Sequence, residues 1–395
     1  MALTLNEILV TSKSKYRLTQ LCGENGLNNV VSWVYISEDI STASFLKGGE
    51  LIITTGVSCR TPTWLYDFTK TVIEQGTCGL ILNIGTYIKE EDITEDLISL
   101  CEAHSFPLFT MPWETHIYDI TRDYYNRILI DSQTDTVITN AFLSVIRNTE
   151  ALAQVVEVLE QYNYTVTGSY SACVVNYTAD ASFLTPSSEE LHPKIQALMK
   201  RFVKRNHLNC HIILYKNDFL LIFHDEELSS LTKYMEQLLD ALSSAFEGVN
   251  FHIGIGSMVD DLTKLSTSYQ RGMAALSMSH FHDKQLYRYD DMGFLKILLS
   301  ANDKELLTNY MNDHLKKIMD YDAIHNTEYL ETLHNYLLHN GSIQLIAGAM
   351  FCHRNTVNYR IHVIKDVLDF DLDSTDVRFN LMVSFAIKEY LEVLA

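Results

Sequence analysis

The stretch Asn340-Gly341-Ser342-Ile343-Gln344-Leu345-Ile346-Ala347-Gly348-Ala349-Met350-Phe351-Cys352-His353-Arg354-Asn355-Thr356-Val357-Asn358-Tyr359-Arg360-Ile361 decides how the end of this chain folds, and it reads as a helix-turn-helix. Gly341 can close a preceding helix in the left-handed conformation, and Ser342 can N-cap the next one. Ile343, Ile346, Ala347 and Met350 then return at helical spacing, which predicts a short first helix. After a break at Phe351-Cys352, a second helix starts at His353 or Arg354. It carries Val357, Ile361, Ile364 and Leu368 as one apolar stripe, so the motif occupies 342–368.

At about 100° per residue, the face opposite that stripe presents Asn355, Tyr359 and His362, flanked by Thr356 and Asn358, with Arg354 and Arg360 at its edges. Asparagine can bond an adenine edge bidentately, threonine can touch a thymine methyl, and arginine can read guanine or hold a phosphate. From His353 to Lys365 there are three basic residues and no acidic one. The pattern alone leaves two readings open: a helix that enters a nucleic-acid groove, and an amphipathic helix with a solvated polar face.

Working outward, 395 residues predict two to four domains. An apolar share of 47% with only five prolines predicts globular structure throughout. The sequence has no run of 18 apolar residues, no signal-peptide pattern and no lipidation motif, so a cytoplasmic protein without a membrane partner is expected. The seven cysteines, Cys22, Cys59, Cys78, Cys101, Cys173, Cys210 and Cys352, are scattered and odd in number, which fits reduced thiols. A formal net charge of -20 argues against nonspecific coating of nucleic acid, because affinity for a polyanion comes largely from phosphate neutralisation. Even residues 325–395 carry five Lys/Arg against nine Asp/Glu. Any DNA binding must be local to the basic helix, doubled by dimerisation, and sensitive to salt.

The pattern predicts a multi-domain α/β plus all-α chain. Residues 1–114 alternate strand-like runs (30–36, 50–55, 78–84 and 107–111) with helices (63–75 and 93–105), which argues for an α/β layer with a mainly parallel sheet. Ligands of such sheets sit at the carboxyl ends of the strands. Those ends supply Glu38, Thr54, Thr55, Gly56, Asn83 and Trp113 as candidate effector-binding residues, although polar strand ends are also ordinary turns. Residues 115–167 read as helical, with apolar positions that run from 115–131 on through 137–159, a long helix serving as a linker and dimer interface or packing on its own domain. Residues 168–290 follow the order βαββαβ, the ferredoxin-like arrangement of nucleotidyl cyclase palms. Residues 291–395 are helical, with Thr375 to Leu394 buttressing the second helix of the motif.

His353-Arg354-Asn355-Thr356-Val357-Asn358-Tyr359-Arg360-Ile361 resembles the H-R-N-T-x-x-Y-R-[LI] pattern of the C-terminal helix-turn-helix in PucR-type (CdaR-like) bacterial transcriptional regulators. Two positions depart from it: the family usually carries Arg at Val363 and Gly at Asp369. Gly48-Gly49-Glu50-Leu51-Ile52-Ile53-Thr54-Thr55-Gly56 and Phe106-Pro107-Leu108-Phe109 resemble the family's N-terminal domain. Phe251-His252-Ile253-Gly254-Ile255-Gly256, with Ser268-Tyr269 and Ala274-Ala275-Leu276, looks like its central GGDEF-like domain. The resemblance implies a metabolite-sensing domain at 1–114, a degenerate GGDEF-like domain at 168–290, and promoter binding at the C-terminal end. Catabolic genes would be activated, and the effector would be a purine-related or other nitrogenous small molecule. It also implies base or sugar-phosphate contacts from Asn355, Thr356, Asn358 and Tyr359, phosphate contacts from His353, Arg354 and Arg360, and a homodimer or higher homo-oligomer.

Two alternatives stay open. One is a nucleotidyl cyclase or cyclic-nucleotide-binding protein using 168–290. Against it, Tyr215-Lys216-Asn217-Asp218-Phe219 lacks the hairpin glycines, and Asn176 replaces the acidic residue at the first strand end, so Asp218 alone would have to hold metal. The other is a ligand-binding interaction protein without DNA binding. No catalytic residue, metal site or cofactor is predicted. His207, Cys210 and His211 do not share a helix, and His280-Phe281-His282-Asp283 reads as a solvated loop.

Overall fold

Alternating apolar strands and amphipathic helices build the first layer. The computed structural model describes residues 3–59, 61–148, 152–179, 188–301, 303–366 and 369–393. It divides into two units, Met1–Arg288 and Tyr289–Ala395.

The first unit opens with α1 (Leu5–Ser12), whose Thr4 and Glu7 form a reciprocal capping box. There follow β1 (Thr19–Cys22), β2 (Trp33–Ile36), β3 (Glu50–Thr54), α2 (Trp64–Glu74), β4 (Gly79–Ile84), α3 (Glu95–Ala103) and β5 (Leu108–Pro112). The sheet order is β1-β5-β4-β3-β2, parallel from β2 to β5, with β1 antiparallel on the β5 edge. β3 is buried on both faces, as a parallel strand covered by helices should be. Ile53, Phe109 and Met111 face α1, while Ile52, Leu80 and Leu82 face α2 and α3. Two expectations need correction. β1 was not foreseen, and the strand expected from Val30 starts only at Trp33, because Val30 is held in an isolated bridge with Thr4.

The linker is helical: α4 (Ile117–Ile146) runs unbroken for 30 residues and α5 (Leu152–Gln161) follows. The first half of α4 buries Ile120, Tyr124 and Ile128 against the N-terminal sheet. Its second half buries Ile138, Phe142 and Val145 in the next core, so α4 is packed at both ends.

That second core belongs to β6 (Thr167–Ala179), α6 (Ser188–Arg205), β7 (Cys210–Tyr215), β8 (Asp218–His224), α7 (Leu228–Ala245), β9 (Val249–Ile255), β10 (Val259–Asp261), α8 (Leu265–Phe281) and β11 (Leu286–Arg288). The sheet order is β11-β9-β6-β8-β7, with β10 pairing β6. α6 and α7 cover one face, and α4, α5 and α8 the other. β10 and β11 extend the expected four strands.

The second unit is helical: α9 (Leu295–Ser300), α10 (Lys304–His325), α11 (Tyr329–Leu338), α12 (Ile343–Ala349), α13 (Arg354–Asp366) and α14 (Thr375–Val393). Its core joins Leu315 and Ile318 of α10, Leu333 of α11, Ile346 of α12, Val357, Ile361 and Ile364 of α13, and Leu381 and Phe385 of α14. α10 runs to His325, where Asn326, left-handed at φ 52°, closes it. Among the described residues, no helix is long and apolar enough to cross a membrane.

Candidate nucleic-acid interface

α11 ends in a double backbone closure. Gly341 N–H donates to the Tyr336 carbonyl at 2.8 Å, and Asn340 N–H to that of Leu337 at 3.3 Å, which is a Schellman motif. The left-handed residue that closes it is Asn340, φ 49°, one position before the glycine expected to do so. Gly341 is itself left-handed at φ 77°, and a Cβ there would lie 3.1 Å from the Tyr336 ring. Ser342 occupies the N-cap position of α12, but its hydroxyl makes no capping hydrogen bond. The second closure repeats the first: Cys352 N–H donates to Ala347 O at 3.1 Å and Phe351 N–H to Gly348 O at 3.4 Å, with Phe351 left-handed at φ 49°.

α13 then starts at Arg354, preceded by His353. The His353 Nδ1 accepts the Asn355 N–H at 3.2 Å, so in the neutral ring Nε2 carries the proton. Val357, Ile361, Val363 and Ile364 are buried, while His353, Arg354, Asn355, Thr356, Asn358 and Tyr359 are exposed. Leu368, the last member of the expected stripe, lies outside the described residues. The side chains of Arg354, Asn355, Thr356 and Asn358 form no hydrogen bond or ion pair among the described residues. They are therefore free to meet a ligand.

Arg360 differs from them and from the expectation of a free phosphate anchor. Its guanidinium sits 3.0 Å from Glu328 and 3.3 Å from the Thr332 hydroxyl, tying α13 to α11. Val363 packs in the core and offers no charge to a backbone. Asp369, the other departure from the family pattern, is left-handed at φ 53°, the conformation glycine adopts most freely. Lys365 pairs with Asp373 at 3.0 Å, and that hydrogen bond raises its pKa.

The expected effector residues have partners of their own. Glu38 accepts from Thr54 Oγ1 (3.0 Å), Thr55 N and Oγ1 (both 2.8 Å), Gly56 N (3.0 Å) and Val57 N (3.2 Å). Asn83 is buried and donates to the Pro112 carbonyl at 3.0 Å. Trp113 is exposed and meets the Tyr87 ring edge-on at 5.8 Å. A cavity of about 570 Å³ lies elsewhere in the first unit, between β2, the 47–50 loop, α4 and α6, and is lined by Trp33, Asp131, Asp135, Gln196 and Lys200. Burial holds the Asp131 carboxyl above its ordinary pKa. Asp135 bridges Lys200 at 3.3 Å and His211 at 3.7 Å, and burial pushes the His211 imidazole down to about 4. Sequence reasoning did not single out this cleft, because its residues come from four separate elements.

In the central sheet, Asn176 donates to Asp218 at the β7–β8 hairpin, where Lys216 is left-handed at φ 59°. The positions that would hold phosphate and metal in a cyclase are thus a self-paired amide and carboxylate beside a lysine turn. Among the described residues, no cluster of three or more His, Cys, Asp and Glu could hold a metal ion.

A layered α/β unit followed by a helical unit that displays an exposed polar row at the start of α13 defines a multi-domain chain of the helix-turn-helix class. Three family models match it in order: the purine catabolism regulatory protein-like family over residues 8–128, a GGDEF-like domain over 147–278, and the PucR C-terminal helix-turn-helix domain over 329–387. Together the three matched regions carry, in sequence order, the domains of PucR-type regulators. It is 26% identical over 200 residues to the proline-responsive transcriptional activator PutR of Bacillus subtilis (strain 168), covering 49% of this chain and 48% of that protein. Similarity extends to the DNA-binding transcriptional activator AdeR of the same strain, at 22% identity over 42% of this chain and 40% of the relative. The carbohydrate diacid regulator of Escherichia coli (strain K12) is 24% identical over 40% of each chain. The chain spans about half the length of the curated relatives it matches, or less.

Proposed function

We propose that this protein is a sequence-specific DNA-binding transcriptional regulator that responds to a small metabolite and activates catabolic genes. The observation that carries this reading is the exposed, unpartnered row Arg354, Asn355, Thr356 and Asn358 on a helix whose opposite face is core. Asn355, Thr356, Asn358 and Tyr359 would contact base edges or sugar-phosphate, and Arg354 and the His353 Nε2–H would hold phosphates. Arg360 serves α13 by fixing it to α11. A homodimer would read two half-sites about 10 bp or a multiple apart.

The central sheet is a ferredoxin-like palm without cyclase chemistry, because Asn176 and Asp218 neutralise each other's hydrogen-bonding capacity where metal would bind. The protein acts by binding, and it is no enzyme. For the metabolite, the 570 Å³ cleft is the better site. The hydrogen-bonding capacity of Glu38 is taken up within its own loop, whereas the cleft has room for a small molecule between the exposed Trp33 ring and Asp131, beside the Asp135–Lys200 pair.

The test is a salt titration of binding between the full chain and DNA from upstream of its own gene, with shuffled DNA as control. Selective binding that weakens steeply with salt is expected. Equal affinity for both DNAs, with and without metabolite extract, would contradict the reading.

A further inference from the structure

The turn of the helix-turn-helix holds a residue that is unfavourable there in two ways. Phe351 is left-handed at φ 49° and 98% exposed. Elsewhere among the described residues of this unit, the left-handed non-glycine residues at helix ends are Asn326, Asn340 and Asp369. Short Asn and Asp side chains tolerate that conformation by local hydrogen bonding, whereas a bulky apolar side chain gains nothing from it. A glycine would relieve the backbone and remove a large apolar surface from water. Stability within the unit therefore gives no reason for a phenylalanine, and contact with a partner does.

The surroundings indicate which partner. Phe351 stands three residues before Arg354, the first residue of α13, and beside the exposed His353, Asn355 and Thr356. From Ser342 to Lys365 there is no acidic residue, in a chain of net charge -20. The second helix of this stretch is the one proposed above to meet DNA, a polyanion. In a helix-turn-helix the N-terminal residues of the second helix reach base edges in the major groove. The apolar group a base pair presents there is the thymine methyl.

We propose that Phe351 determines specificity in the DNA interface, its ring packing against a thymine methyl at the edge of the half-site read by α13. This rests on the DNA-binding reading above. It assigns an apolar readout to the turn, beside the polar readout of the helix.

The experiment compares wild type, Phe351→Gly and Arg354→Ala as full chains on the upstream duplex. Each is also tested on the same duplex with deoxyuridine replacing each thymine in turn, which removes one methyl at a time. Phe351→Gly is expected to melt at a higher temperature than wild type and yet to bind about tenfold more weakly. At one thymine per half-site, methyl removal should weaken wild type and leave Phe351→Gly unchanged. If Phe351→Gly binds as tightly as wild type, or if both respond alike to methyl removal throughout, the assignment falls. If Arg354→Ala loses affinity in that same case, only this inference fails. If wild type shows no selective binding, the DNA-binding reading fails and takes the inference with it.

Discussion

At the carboxyl ends of the N-terminal strands, Glu38 accepts hydrogen bonds from Thr54, Thr55, Gly56 and Val57. On α13, Arg354, Asn355, Thr356 and Asn358 stand exposed, with side chains bonded to nothing among the described residues. Both regions are rich in short polar side chains at the end of an apolar element. They differ in backbone: after β3 the chain turns so that three successive N–H groups converge on one carboxylate, whereas at the start of α13 the Asn355, Thr356 and Val357 N–H groups are taken by His353, which leaves the side chains for others. A polar cluster that satisfies itself holds a fold together. One that cannot satisfy itself is available for recognition.

The strongest way to break that contrast is Glu38→Ala. It leaves two hydroxyls and three N–H groups without their acceptor, and should cost about 3 kcal/mol in urea unfolding of the first unit. Unchanged stability together with a lost metabolite response would turn Glu38 from a latch into a ligand residue. His211 sharpens the contrast from the buried side. Its ring is 2% exposed, with Nε2 within 2.9 Å of the Thr139 hydroxyl. Desolvation lowers its pKa from 6.5 to about 4, against a smaller opposing pull from Asp135. Because the folded pKa lies below the unfolded one, the unfolded chain binds more protons in that window. Stability is therefore fully present above about pH 6.5 and is lost as pH falls toward about 4, by on the order of 2 kcal/mol. His211→Gln should flatten this dependence in a pH series of unfolding curves.

Arg360→Ala should cost the second unit at most about 1 kcal/mol, since its Glu328 partner is largely solvated, and it should weaken DNA binding less than Arg354→Ala does. An affinity loss equal to that of Arg354→Ala would return Arg360 to the recognition set. The smallest effect is expected from Asp369→Gly, a gain of about 0.5 kcal/mol in thermal unfolding, because glycine adopts the left-handed conformation more freely. A loss instead would mean that the Asp369 side chain holds the end of α13.

Much of this arrangement is written locally. β3, β4 and β5 are buried, mostly apolar runs, and the faces of α13 follow from spacing alone. β1 escaped notice because Thr19-Gln20-Leu21-Cys22 is a half-buried edge with no clean alternation. The polar run 131–136 continues α4, where Asp135 meets Lys200 and His211 from the neighbouring layer, a pairing that no local pattern reveals. Arg360 shows the same limit at the interface: Glu328 lies 32 residues upstream, and no local pattern reveals that its charge is already bound. Val363, at a position where the family usually has arginine, is filled by core packing. The row Arg354, Asn355, Thr356 and Asn358 is legible as an exposed polar face, because spacing alone sets it opposite the apolar stripe.

The central claim is that α13 reads DNA with its unpaired row. It is tested most directly by fluorescence anisotropy of the full chain on its upstream duplex at fixed salt, comparing wild type with the double variant Arg354→Ala, Asn355→Ala. Both residues are exposed, so the variant should unfold like wild type, and it should lose roughly a hundredfold or more in affinity. A folded double variant that binds the duplex as tightly as wild type would contradict the account.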